Sequence, residues 1–437
     1  MSKKLIVLVL SFVLFVSACA KTDNNTSVSS PNNAVTDSSD VVLEDAGDLI
    51  EVRPATQTGN GATVNNVHVS KSGATVIGIS KKDESGNSSS ESTSSGTSSS
   101  GTQGNKDPYD ELPLDFVLDF DTENIKVLQL SDFMVIDSSQ QRPETTMGTA
   151  DTIKYDPSKK QELLFNEIKS AVDKSNPDLI LITGDLVMGF YDDLGTSFEA
   201  VINYMDSLKI FWAPVFGTYD NSSAQGVEWQ CSKLKESKYC LFKRSNNVEG
   251  NSNYSIGLGV KGKLSRVIYM LDSNGCVNST DPAVITTAGI RDTQLQWVEN
   301  VNNSLKGKGV NVPSFACFNL LSSDVLDAVV NAGYEDNSNT SVYEIGKDIT
   351  AKNRDFGVKG EPFTTMFTND KLLTTFKGVG VDGVFMGSNP ATDISVLYND
   401  ILWTIGLKTG TYYKATRTGG MLIKISGNSF SVSEILV

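Results

Sequence analysis

The sequence predicts an α/β fold. From Pro108 onward strand and helix signals alternate, the strands are short and apolar, and three of them end in a glycine or a small polar tip. Ile125-Lys126-Val127-Leu128-Gln129-Leu130 reads as a strand that stops at Ser131-Asp132. Lys159 to Lys174 reads as a helix with Leu163, Leu164, Ile168, Ala171 and Val172 on one face. Leu179 to Thr183 is a short buried strand that stops at Gly184-Asp185. Phe198, Val201, Ile202, Met205 and Leu208 recur at helical spacing and lead into a strand from Ile210 to Phe216, which stops at Gly217. Ligands of open α/β sheets bind just outside the carboxyl ends of the strands, so these three tips are where a site is expected.

The residues before Pro108 read differently. Lys3 and Lys4 precede an apolar run, Leu5 to Leu10 and Phe12 to Val16, too short to cross a bilayer as a helix, which is the pattern of a signal peptide. Val16-Ser17-Ala18-Cys19 resembles a bacterial lipobox, so residues 1–18 are expected to be a lipoprotein signal peptide and Cys19 the acylated residue. The other reading is ordinary cleavage near Ala18 with an incidental cysteine. No later stretch is long and apolar enough to span a membrane, so the expected location is the extracytoplasmic face, held to the membrane by lipid on Cys19. Residues 19–107 are rich in Ser, Gly and Asn and read as a flexible linker. Glu84 to Gly104 holds ten serines and four glycines, and as a random coil it reaches about 25 Å, enough to hold a domain off a lipid surface. Val64 to Val69 and Ala74 to Ile79, joined by Ser70-Lys71-Ser72-Gly73, read as an isolated hairpin within 64–79, marginal on its own and given no function.

Charge and rare residues exclude several functions. The net charge of −15 becomes −17 without Lys3 and Lys4, and no Lys/Arg cluster reverses it locally, so nucleic acid is not an expected partner. After Cys19, the cysteines Cys231, Cys240, Cys276 and Cys317 permit at most two disulfides and show neither a CxxC nor a zinc spacing. Cys231 and Cys240, nine residues apart on a helix and its exit, are a conceivable pair with only a weak disulfide signal, and the pairing among the four stays open. His68 is the one histidine, and it falls outside the 108–437 domain. Any chemistry in that domain must proceed without imidazole as ligand, base or acid.

Three stretches carry a family resemblance: Leu130-Ser131-Asp132-Phe133-Met134, then Pro177-Asp178-Leu179-Ile180-Leu181-Ile182-Thr183-Gly184-Asp185, then Pro214-Val215-Phe216-Gly217-Thr218-Tyr219-Asp220-Asn221. In order and spacing they resemble the first three blocks of the calcineurin-like metallophosphoesterases, the purple acid phosphatase-like proteins included. Those blocks read Asp-x-His, Gly-Asp and Gly-Asn-His-Asp. The fourth block matches Phe315-Ala316-Cys317-Phe318-Asn319, and the fifth Val384-Phe385-Met386-Gly387-Ser388-Asn389-Pro390, with Asp393 just beyond. The flanks Gly226 to Gln230, Lys238 to Phe242, Gln294 to Trp297 and Gly406 to Thr411 also resemble bacterial members, so the likeness runs from about Ile125 to Ile425. It implies a four-layer α-β-β-α sandwich of two mixed sheets, and a pair of metal ions bridged by one aspartate that clamp phosphate and activate water.

Of the implied ligands, Asp132 at one metal and Asp185 at the bridge are present. Met134 stands for the first His, Thr218 for the Asn, Tyr219 for the His that assists the leaving group, Asn319 for the fourth-block His, and Ser388 and Pro390 for the last two. Thioether favours other metals and a peptide proline nitrogen has no lone pair to give, so the set is degenerate. Two readings of Asp132 and Asp185 follow. They hold one divalent cation, Mg, Ca or Mn, with Thr218 and Asn319 completing an oxygen shell. Or they accept backbone N–H bonds at strand-end turns, and no cofactor is bound. Asp220 and Asn221 read as turn and cap residues, Tyr219 as a plug or a ligand contact, and Trp229 and Trp297 as core. The expected function is a cell-surface pseudophosphatase that binds a protein, a glycan or a phosphorylated ligand. The alternative is a metal-dependent phosphoesterase working through an oxygen-ligated site.

Overall fold

The computed structural model describes residues 64–69, 75–79, 108–136, 157–277, 285–345, 354–363, 365–410 and 417–437, all within Ile50–Val437. The expected signal peptide 1–18, Cys19 and most of the 19–107 linker lie outside the described residues.

Along the chain, β1 (Val64–Val69), β2 (Thr75–Ile79), β3 (Phe116–Phe120) and β4 (Asn124–Leu130) are followed by α1 (Pro157–Ser175), β5 (Leu179–Ile182), α2 (Thr196–Ser207), β6 (Phe211–Pro214) and α3 (Val227–Glu236). Then come β7 (Tyr254–Val260), β8 (Lys263–Met270), β9 (Asn274–Val277), β10 (Ile285–Ala288), α4 (Asp292–Gly307), β11 (Ser314–Cys317), β12 (Leu321–Ser322) and α5 (Ser323–Asn331). The last part holds β13 (Tyr343–Ile345), β14 (Phe356–Lys359), β15 (Met366–Phe367), α6 (Leu372–Gly378), β16 (Val381–Met386), β17 (Thr392–Tyr398), β18 (Ile401–Ile405), β19 (Gly419–Ser426) and β20 (Ser429–Leu436).

Two mixed sheets carry the architecture. The smaller has the order β20-β19-β4-β5-β6, the larger β1-β2-β3-β7-β8-β11-β16-β18-β17-β14-β13. β4, β5 and β6 run parallel, as do β8, β11, β16 and β18, so each sheet presents a row of carboxyl ends along one edge. Side-chain alternation shows how the layers stack. On β11, Phe315 and Cys317 join the core shared with β4 and β5, while Ala316 and Phe318 join a second core with Leu295 and Val298 of α4 and Val325 of α5. The larger sheet is therefore buried on both faces, between the smaller sheet and an outer helix layer. The four residues Leu-Ile-Leu-Ile of β5 are buried throughout, as a central parallel strand requires. On its outer side α1 buries Leu164, Ile168 and Ala171, and α2 buries Phe198, Val201, Ile202 and Met205. This is the two-sheet α-β-β-α sandwich that the resemblance implies.

Two expectations need correction. Leu163 is 47% exposed, because the buried stripe of α1 follows Leu164, Ile168 and Ala171, and Leu163 falls a hundred degrees to one side. The 64–79 hairpin is not isolated either. β2 pairs antiparallel with β3 from Thr75↔Asp119 to Gly78↔Phe116, which extends the larger sheet to residues before Pro108. A hairpin gains by adding to an existing sheet, and the β3 edge loses its row of open N–H and C=O groups. His68 thus stands on the outermost strand, β1, five strand positions from β11. At about 4.8 Å per strand that is roughly 24 Å along the sheet.

Candidate functional site

Six strand ends meet in one place. β4 delivers Ser131 and Asp132, β5 Thr183 to Asp185, and β6 Gly217 and Thr218; β11 delivers Asn319, β16 Gly387 and Ser388, and β18 Lys408. Hydrogen bonds between the tips show that they touch. Asn319 Nδ2 donates to the Thr183 carbonyl at 2.8 Å, and the Gly387 N–H to the Asn319 carbonyl at 3.0 Å. The Asp132 N–H donates to the Gly184 carbonyl at 3.0 Å, and the Met134 N–H to the Asp185 carbonyl at 2.8 Å. Gln129 Nε2 crosses between the sheets to the Met386 carbonyl at 2.9 Å. Thr409 pins β18 to β4, its N–H on the Ser131 carbonyl at 2.8 Å and its Oγ1 accepting the Ser131 N–H at 3.2 Å.

The acids predicted from sequence lie at the centre, and carboxylate oxygens of both accept hydrogen bonds. Both oxygens of Asp132 lie 3.0 Å from the Ser388 N–H, and Oδ2 also accepts from Ser131 Oγ at 2.7 Å. The Lys408 ammonium donates to the Asp132 carbonyl oxygen. Asp185 Oδ1 accepts the Tyr219 N–H at 2.8 Å. Asp220 opens a single 3-10 turn, Asp220–Ser222, and its carboxylate accepts the Gly217 N–H at 2.9 Å and the Val187 N–H at 3.1 Å, the work of a turn residue. Asn221 Nδ2 reaches the Gly275 carbonyl at 3.2 Å. Thr218 Oγ1 and Asn319 Oδ1 are buried and find no hydrogen-bond partner among the described residues.

Burial dominates the electrostatics. It raises the Asp132 carboxyl above its usual range, against the pull of the Lys408 charge. Asp185 is pushed well above that range by burial and then by the charges of Asp132 and Asp220. Burial lifts Asp220 to about 7 against its backbone N–H bonds. It pulls the Lys408 ammonium down to about 8, although Asp132 and Asp185 both favour the charged form.

The backbone here is unusual. Asp132, Met134, Asp185 and Ser388 all have φ between +50° and +66°, and Gly184 has φ +92°. Aspartate tolerates the left-handed region; methionine and serine gain little there, at a cost of order 1–3 kcal/mol each. The tips are also in contact without slack. A Cβ on Gly217 would lie 2.2 Å from Asp185 Oδ1, and one on Gly387 2.1 Å from Ser131 Oγ.

Beside the acids, Met134 packs with Ile136, Met188 and Tyr191, and Tyr219 lies against this cluster. Met134 and Tyr219 thus belong to one apolar group. Asp393, just past the fifth block in sequence, lies outside the site: it is on β17 and pairs with Arg417 at 2.9 Å. Pro390 is half-buried at the end of the fifth-block loop. Trp229 and Trp297 pack against Phe198 and Tyr269, at ring centroid distances of 5.8 and 6.1 Å. Cys231, Cys240 and Cys317 are free thiols, and burial pushes Cys231 up to about 11, away from nucleophilic use. The residue that sequence reasoning missed is Lys408. Its one sequence signal is its place directly after the apolar run Ile401-Leu402-Trp403-Thr404-Ile405-Gly406-Leu407.

No family model matches the sequence, and no curated protein matches it. Among solved structures, a dimetal phosphatase from Danio rerio is similar at 9% identity and a TM-score of 0.44, over 71% of this chain and 95% of that one. Purple acid phosphatase PPD1 from yellow lupin (Lupinus luteus) is similar at 10% identity and a TM-score of 0.37, over 73% of this chain and 53% of that one. NAD nucleotidase from Haemophilus influenzae is similar at 12% identity and a TM-score of 0.36, over 72% and 50% of the two chains. At these identities and scores the likenesses assign no activity.

Proposed function

We propose that this chain is a pseudophosphatase: a phosphoesterase-like domain, tethered outside the cytoplasm by lipid on Cys19, that binds a partner without hydrolysing phosphate esters. One observation carries the reading. Where a two-metal centre needs free oxygen lone pairs, the acids meet hydrogen-bond donors of the protein itself: the Ser388 and Tyr219 N–H groups and the Ser131 hydroxyl. The Lys408 ammonium brings a fixed positive charge to the same place.

The donor set does not fit the metals that the resemblance implies. A hard cation takes about six to eight oxygens. Among the described residues, Thr218 Oγ1 and Asn319 Oδ1 are neutral oxygens of the strand tips without a hydrogen-bond partner, and that supply suits a single buried water, which needs 2–4 polar partners. No imidazole offers nitrogen, and Met134 and Tyr219 fill space with apolar surface. The binding role draws on the acidic balance of the chain, which disfavours polyanionic partners and leaves a protein, a glycan or a small phosphorylated ligand.

The test is metal content and p-nitrophenyl phosphate turnover of the purified chain, with Mn²⁺, Mg²⁺, Ca²⁺ and Zn²⁺ supplied in turn. The expected outcome is no stoichiometric metal and no turnover above buffer. Bound metal with turnover that disappears in Asp185→Ala would sink the reading. The site would then be an oxygen-ligated phosphoesterase, the role for which the two uncommitted oxygens are the supporting observation.

A further inference from the structure

We propose that the slot between the open edges of the two sheets, bordered by Glu344, Phe356, Val358, Arg417, Val432 and Glu434, binds a primary alkylammonium ion, the chemistry shared by free aliphatic amines and the lysine side chain. The inference goes beyond the pseudophosphatase reading and does not rest on it, because none of these residues belongs to the strand tips.

Strand register builds the slot. β14 and β13 end the larger sheet, and β20 ends the smaller. Phe356 of β14 and Val432 of β20 belong to one apolar cluster with Leu407 and Met421, so the two sheets face each other here. Glu344 pairs across strands with Val358, and Val358 with Asp393, which sets these three side chains in one row on one face. On β20, Val432 and Glu434 lie two residues apart and share the opposing face. The cavity between them holds about 240 Å³. Sites for drug-sized ligands run to roughly 300–1,000 Å³, so this one suits a short chain or a single side chain.

Charge around the slot is unbalanced. Three carboxyl groups, those of Glu344, Asp393 and Glu434, stand against the one guanidinium of Arg417. Arg417 is shared between Asp393, at 2.9 Å, and Glu434, and so ties β17 of the larger sheet to β20 of the smaller. Glu344 is exposed and makes no ion pair among the described residues. Asp393 is 2% exposed; its Oδ2 has the Arg417 charge beside it but no aligned hydrogen-bond donor. A buried oxygen without a donor is destabilising, and a ligand that brings one recovers the loss. Burial lifts the Asp393 carboxyl to about 8 against the pull of Arg417, and the charges of Glu434 and Glu344 add to the lift, as expected of a group short of positive charge.

The lining selects the ligand. An anion is excluded because the one guanidinium is already committed to two acids. Among the described residues no three acidic, cysteine or histidine side chains are placed to hold a metal ion, so a point cation finds no shell. An alkylammonium uses both halves of the slot: its head offers three N–H donors to the carboxyl groups, and its methylene stem lies on Phe356, Val358 and Val432. The net charge of −15 draws cations toward the chain as a whole.

The experiment is saturation-transfer difference NMR on the full chain, with butylammonium as ligand and butanol as its uncharged counterpart. The wild type should transfer saturation to the butylammonium methylenes and little to butanol. Glu344→Lys sets a cation in the lining and should weaken butylammonium by at least about tenfold in Kd, the size of one lost charge-assisted hydrogen bond. Glu344 is exposed, so the variant should fold; Glu344→Gln repeats the test without reversing the charge, and a loss of the same sign is expected. A second ligand, Nα-acetyl-lysine methylamide, separates the two sources. Transfer to both ligands supports a site open to a lysine carried on a backbone, and transfer to butylammonium alone supports a site for free amines. Butylammonium that gains no more saturation than butanol, or that binds both Glu344 variants as it binds the wild type, overturns the proposal. Metal and turnover at the strand tips would defeat the pseudophosphatase reading and leave this inference standing.

Discussion

Replacing Gly387 by alanine measures how tightly the strand tips have closed on one another. The added Cβ would lie 2.1 Å from Ser131 Oγ, 2.8 Å from Asp132 Oδ2 and 2.9 Å from the Thr183 carbonyl oxygen. Gly387 itself has no left-handed φ, so the cost is steric rather than conformational. Turning Ser131 aside relieves the closest contact but breaks its 2.7 Å bond to Asp132, and the other two contacts stay. Overpacking costs about 1–3 kcal/mol and a lost hydrogen bond to a charged group about 1.5–3, together about 2.5–6 kcal/mol. For a domain of this size each kcal/mol moves the melting point by about 2–4 °C, so Gly387→Ala should melt roughly 5–24 °C lower. The assay is calorimetric unfolding of the variant, and of Gly387→Ala combined with Ser131→Ala, which removes the nearest atom and should recover part of the loss. A Gly387→Ala chain that melts with the wild type would refute the reasoning, since tips with that much slack would also have room for metal ions.

Two further outcomes follow from buried charge. Asp220 is lifted to about 7, so between pH 4 and 7 the folded chain holds a proton that the unfolded chain has released; stability falls as pH rises through that window and levels above it. Lys408 is lowered to about 8 and acts in the opposite sense: above that pH the unfolded chain holds the extra proton, and stability recovers toward pH 10. Denaturant midpoints should therefore pass through a minimum near pH 7–8, and Asp220→Asn should flatten the acid limb by up to about 1.4 kcal/mol per pH unit. A midpoint that climbs steadily from pH 5 to 7 contradicts this. Away from the site, Glu335 and Lys359 form an ion pair at 2.7 Å with both side chains 0% exposed. Glu335→Gln leaves the ammonium buried and should cost about 3–5 kcal/mol, while Glu335→Leu with Lys359→Met should cost less than the single change. Urea unfolding of the three chains decides it.

The parts legible in the sequence are those governed by local pattern. β4, β5, β6, α1 and α2 could be read from apolar runs and helical spacing, and the tips at Asp132, Asp185 and Gly217 from what stopped them. The fourth and fifth blocks were placed by resemblance, and their Asn319 and Ser388 do reach the same point as the first three. What stayed hidden depends on distance along the chain. Nothing local says that Thr75 will pair with Asp119, since the pairing is settled by an open strand edge elsewhere in the fold. Nor does a lysine beside Thr409 and Gly410 look buried: Lys408 and Asp132 are brought together across 276 residues by the order of the strands. Asp393 shows the same dependence on strand order. It follows the fifth block closely, but a new strand has begun, and its side chain serves Arg417. The left-handed backbone at Asp132, Met134, Asp185 and Ser388 was not legible either, since it is set by how the strand tips meet.

The measurement that bears most directly on the pseudophosphatase account is a crystal of the chain soaked in Mn²⁺, with anomalous difference density computed at the manganese edge. The account predicts no peak between Asp132 and Asp185, with the Ser388 N–H still on Asp132 and the Tyr219 N–H still on Asp185. A peak bridging Asp185, with those donors displaced, would contradict it and return the site to metal-dependent phosphoester chemistry.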